Sequence, residues 1–155
     1  MKRKKVRAAL SQFSGARGCS VPIKIVVMST SDTPHIDIRV QPRYQPEQSS
    51  PLSESYTFSY TITVINKGPQ AAQLISRHWI IVDEDGHREE VKGLGVVGHQ
   101  PMLKMGEAFE YTSGSHLRTP TGSMEGSYRF VLEDGTAFDV AIPRFTLDAT
   151  GRVLH

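Results

Sequence analysis

Cysteine is nearly missing from this chain of 155 residues, where Cys19 stands alone. One thiol excludes an internal disulfide and any structural zinc site built on two or more cysteines. It agrees with a reducing compartment, so a cytoplasmic location is expected. Long apolar runs are missing too. None approaches the roughly 18 residues of a membrane-spanning helix, and no membrane association is expected. Helical periodicity is weak everywhere: residues 1–16 could form a poor helix, without a wide apolar stripe.

Acidic residues are missing from residues 1–27, which hold Lys2, Arg3, Lys4, Lys5, Arg7, Arg17 and Lys24. Without those seven cations, the rest of the chain has 11 basic and 16 acidic residues, a net charge of −5. The overall charge of +2 therefore belongs to the leader. A basic surface for nucleic acid is not expected on the folded part. The leader begins like a signal peptide, but Gln12, Arg17, Pro22 and Lys24 break its apolar stretches. Its Arg-rich, acid-free character also resembles a transit peptide. The preferred reading is a basic leader over 1–28, disordered or preceding the true start at Met28, and one domain over 29–155.

What is present is alternation. His35–Val40 alternates at period two. Tyr56–Ile65 does so more strongly, with Tyr56, Phe58, Tyr60, Ile62 and Val64 on one face and Thr57, Ser59, Thr61 and Thr63 on the other. Gln73–Asp83 reads as a third strand. Asp83-Glu-Asp-Gly86 is a hairpin signal, and His87–Val91 returns as a fourth strand. Glu107–Ser113 alternates again. Ser127–Leu132, a turn at Glu133–Gly135, and Thr136–Phe145 make a last hairpin. Pro143 calls for an edge or exit position in that strand. About seven antiparallel strands with regular turns predict an all-β sandwich of immunoglobulin or fibronectin type III kind. A small barrel is the competing architecture.

The most distinctive segment is Val91-Lys-Gly-Leu-Gly-Val-Val-Gly-His-Gln-Pro101. Its Gly93-x-Gly95-x-x-Gly98 spacing matches a dinucleotide fingerprint. That fingerprint needs a helix directly behind the glycines, whose amides hold the pyrophosphate. Here His99-Gln-Pro101 comes next, so a Rossmann site is not expected and no cofactor is assigned.

Several pieces occur together in order: Arg77-His-Trp79, Gly93–Pro101, Gly106-Glu-Ala-Phe-Glu-Tyr-Thr-Ser-Gly114, Thr119-Pro-Thr-Gly-Ser-Met-Glu-Gly126 and Ile142-Pro-Arg-Phe145. In these pieces the chain resembles the ApaG family of small bacterial proteins. The likeness extends more weakly over about 34–155 and omits the leader. Met105 departs from it, where the family commonly has proline. The resemblance implies a fibronectin-type-III-like sandwich and a biochemical role that is not settled. It also implies protein interaction, as in the related F-box-associated domains, and an association with cobalt and magnesium tolerance.

Each candidate site has a plainer reading beside it. Gly93, Gly95 and Gly98, with His99, could bring backbone amides to a small anion or nucleotide phosphate. Equally, they could permit positive φ in a sandwich loop. Thr119–Gly126 could form a second glycine loop, with Gly122 and Gly126 facing a partner, or a turn followed by a bulge. Arg77 and Trp79 could form an exposed cation–π anchor, or Trp79 could sit in the core. His99, His116 and Glu125 could converge on a divalent metal, although no close helical ligand spacing exists and no metal ligand is assigned. Asp83, Glu84 and Asp85 read as a solvated hairpin tip. Ser113-Gly-Ser115-His116 is not a nucleophile elbow. No catalytic residue is expected. The expected function is a non-enzymatic protein-binding module with an unidentified partner or a second copy as homodimer, working through a sheet edge or its glycine loops.

Overall fold

The structure is a computed structural model that describes residues 3–5 and 33–151. The leader reading over 1–28 lies outside the described residues except at Arg3–Lys5, which forms strand β1.

Alternation becomes two stacked antiparallel sheets. The first has the order β1-β7-β3-β2, from β2 (Ile36–Tyr44), β3 (Tyr56–Asn66) and β7 (Ala108–Leu117) with β1. The second has the order β5-β4-β8-β9, from β4 (Ala72–Asp83), β5 (Arg88–Leu94), β8 (Thr121–Leu132) and β9 (Ala137–Asp148). The two-residue strand β6 (Met102–Leu103) pairs with β4. The sandwich is the predicted architecture, and its seven long strands match the expected number.

The buried face of β3 carries Phe58, Tyr60, Ile62 and Val64, as period two requires. They meet Trp79, Tyr128, Phe130 and Leu147 from the second sheet. Burying each large side chain contributes about 1.5–3 kcal/mol. At the centre the Tyr111 and Tyr128 hydroxyls hydrogen-bond each other, so neither polar tip is left unmatched. Asn66 is likewise buried and satisfied: its amide donates to Gln70 O and Leu103 O, both at 2.8 Å, and its Oδ1 accepts from Gly68 N. It ties the end of β3 to β6, a role that turn chemistry alone does not reveal.

Two irregularities shape the second sheet. Between Leu74 and Ser76 the β4–β8 register shifts, with Ile75 as the extra residue. Between Met124 and Gly126 the β8–β9 register shifts, with the extra residue on β9 where Pro143 lies. Pro143 thus sits at a bulge of an edge strand, the position its missing N–H demands.

Thr119–Gly126 is not a glycine loop: the chain bends at 118–120, Thr121–Gly126 lies in β8, and the β8–β9 register shifts between Met124 and Gly126, as the alternative of a turn and a bulge has it. Thr, Gly and Ser carry little apolar signal, so the long-range pairing with β4 decides their conformation.

Candidate functional site

Strand β5 ends at Gly93-Leu94, and the chain then crosses residues 95–101 to reach β6. Gly93 pairs with Arg77 across the sheet. The Arg77 side chain lies against it, and Nη1 donates to Leu94 O (3.1 Å) and Gly95 O (2.9 Å). A Cβ at Gly93 would meet the guanidinium at 2.8–2.9 Å. Gly93 is therefore small to admit an arginine of this chain. Arg77 is half-buried and clamps the loop from below.

The bulge at Ile75 turns its carbonyl toward the same loop. Ile75 O accepts from Gly95 N (2.8 Å) and from Gln100 Nε2 (2.9 Å), while Leu74 N donates to Pro101 O. Gly95 has φ +66°, and a Cβ there would lie 2.5 Å from His99 O. Val96 and His99 exchange both backbone hydrogen bonds, closing a two-residue turn at Val97-Gly98. That turn needs positive φ at both central residues, and they have 41° and 81°. Gly98 fits without strain, with open space around it. Val97 does not: a β-branched residue in this region is an outlier.

An anion nest needs free amides. The amides of Gly95, Val96 and His99 already donate within the protein. Beyond Gly98 the chain runs into strand β6, without the helix a dinucleotide fingerprint needs.

The other candidates separate. Trp79 is 3 % exposed, ringed by Tyr60, Tyr128 and Phe145 at centroid distances of 5.4–6.3 Å. Burial removes the exposed anchor and leaves the core reading. Gly122 and Gly126 do not face outward as a loop. A Cβ on them would lie 2.6 Å from Val82 O and 2.0 Å from His78 O, so they permit close strand approach. His99 packs beside Phe109, whereas His116 bonds Ser55. Phe109 and His116 are seven residues apart along β7, about 23 Å by strand rise. The two histidines do not converge with Glu125, and no group of three His, Cys, Asp or Glu among the described residues could hold a metal ion. Asp83 Oδ1 accepts from the amides of Asp85 and His87, as a hairpin tip should. Among the described residues, no helix is long and apolar enough to cross a membrane.

Titration follows burial. Desolvation drives the Tyr111 and Tyr128 hydroxyls well above the ordinary tyrosine range, and Tyr60 upward as well. On the outer face, the hydrogen bond from His78 holds the Glu90 carboxyl below its usual value.

Two exposed apolar side chains flank the clamp: Leu94 is 75 % exposed and Val97 40 %. Neither stands out in the sequence, because an isolated Leu or Val in a glycine-rich run carries no period. Their exposure is decided by the turn.

Comparison with known proteins fits this architecture. The sequence model described as the ApaG domain matches residues 46–132. Protein ApaG of Thiobacillus denitrificans is 60% identical over 120 residues, spanning 77% of this chain and 94% of its own length. Protein ApaG of Acidovorax sp. (strain JS42) is 60% identical over 130 residues, with 77% and 95% covered. The crystal structure of a Bordetella pertussis protein described as ApaA superposes with a TM-score of 0.75 at 50% identity, covering 77% of this chain and 97% of that one. With a matched domain, near-complete coverage of its relatives and a shared sandwich, this chain belongs to the ApaG family.

Proposed function

We propose that the chain is a non-enzymatic protein-binding module and that the loop after β5 is part of its contact surface. The observation that carries this is Val97. Its φ of 41° is a conformation that costs a non-glycine residue about 1–3 kcal/mol. Asparagine or glycine would relieve that cost at this turn position. The side chain is exposed, so burial inside the protein does little to compensate. A strained apolar side chain held outward on a clamped loop suits contact with another protein. The Tyr111 and Tyr128 hydroxyls are buried against each other, and Asp83 Oδ1 is occupied by two backbone amides of its own hairpin.

The test is Val97→Asn in the full chain. The variant should gain about 1 kcal/mol of stability by urea unfolding. It should also lose proteins that the wild type captures by crosslinking in native cells. Undiminished capture by the more stable variant would remove the loop from the interface.

A further inference from the structure

Four strand edges close or bound the two sheets, and they are not alike. Pro42 interrupts the edge strand β2 and Pro143 interrupts β9. Strand β1 covers β7 only from Ala108 to Glu110, so Tyr111–Leu117 keeps an edge that no described strand covers, but that stretch carries no lysine or arginine. Strand β5 ends its sheet with no proline and, among the described residues, no covering strand. An uncovered edge of this kind accepts an extended peptide through backbone hydrogen bonds.

Cross-strand register shows which side chains such a peptide would meet. Lys92 lies beside His78 and Ser127, and Leu94 beside Ser76 and Arg129. These form the outer face of the second sheet, with a cavity of about 530 Å³ over a floor of small serines. Arg77, Lys92 and Arg129 line it with Asp139, and Glu90 stands beside it on the same face, bonded to His78. The rest of the surface has the opposite bias, because residues 33–151 contain 10 basic and 15 acidic side chains. Asp139 is held by Arg129 at 3.3 Å in an exposed pair, which water screens and another carboxylate can readily replace.

We propose that the free edge of β5 takes an extended peptide of a partner protein, in which an acidic residue and an apolar residue stand two positions apart. The spacing comes from the pleat. Lys92 and Leu94 share a face two residues apart, so their neighbours on an added strand are also two apart. The acidic side chain faces Lys92 and the apolar one covers Leu94. Arg88, Glu89 and Glu90 elsewhere on β5 guard the edge against indiscriminate pairing. The inference rests on the protein-binding reading and adds the partner's chemistry to it.

The experiment uses full-length isotope-labelled protein and three synthetic ten-residue peptides. Their centres are Leu-Thr-Glu, Leu-Thr-Lys and Ser-Thr-Glu in a Ser/Thr background, the order in which an antiparallel strand sets Glu beside Lys92 and Leu beside Leu94. The Leu-Thr-Glu peptide should shift the amide signals of residues 88–94. Its affinity should fall about fivefold with Lys92→Glu and again between about 50 and 500 mM salt. The other two peptides should bind more weakly. Equal binding of the Lys and Glu peptides, shifts confined to another edge, or no shifts at all would overturn the proposal. Capture that still depends on Val97 alongside such a result would leave the protein-binding reading intact. A concentration-dependent sedimentation coefficient abolished by Lys92→Glu would assign the edge to a second copy and equally overturn it.

Discussion

The chain has two glycine clusters of nearly equal density, and they do different physical work. Gly122 and Gly126 lie inside β8, where His78 O would sit 2.0 Å from a Cβ on Gly126. They are small because a neighbouring backbone is close. Gly98 lies in a turn where positive φ is required, Gly95 takes a positive φ just before it, and Gly93 makes room for Arg77. One cluster serves the packed sandwich and the other an exposed, clamped loop. Glycine spacing alone therefore does not identify a ligand site.

The sharpest way to break that contrast is a paired substitution. Gly126→Ala should cost at least about 3 kcal/mol, since main chain cannot yield like a flexible side chain. Gly98→Ala meets open space and should cost only about 1 kcal/mol for its φ. Urea midpoints that rank the two the other way round would refute the assignment.

Alkaline unfolding probes the interior side. Tyr111 and Tyr128 keep their protons in the folded state past pH 10, whereas the unfolded tyrosines lose theirs. The folded state then binds more protons, so stability falls as pH rises. By pH 11 the loss should reach about 3 kcal/mol for the pair. A denaturation midpoint flat from pH 9 to about 11 would mean that these hydroxyls are not sealed from water.

Arg77→Lys sharpens the loop side. A lysine cannot reproduce the guanidinium clamp on Leu94 O and Gly95 O, and about 1–2 kcal/mol should be lost. Hydrogen exchange should quicken at Gly95 and Val96 while β8 amides stay protected. Uniform loss of protection would show that loop and sandwich are one unit.

The smallest effect belongs to Glu90→Gln. Because the Glu90 carboxyl is held low by His78, its contribution is present above its usual value of 4.5 and fades as pH falls below it. The group is exposed, so the variant's urea midpoint at pH 7 should match wild type within error. A clear drop would make the His78–Glu90 contact structural.

Much of the sandwich is written in local patterns. Phe58, Tyr60, Ile62 and Val64 alternate so strongly that their strand and its buried face follow directly. Asp83–Gly86 and Glu133–Gly135 mark two hairpins for the same local reason. Thr121–Gly126 carries no such pattern, because its pairing partner in β4 lies some forty residues away. The candidate site is visible in the sequence only as a run of glycines. Leu94 and Val97, which give it an apolar surface, carry no signal there.

By itself the sequence determined an all-β architecture, because side chains two residues apart must share a face and the apolar ones must leave water. Only the tertiary structure decided what each glycine is for and which side chains of the loop stand exposed. Those properties depend on what another strand brings alongside, and sequence spacing does not encode that distance.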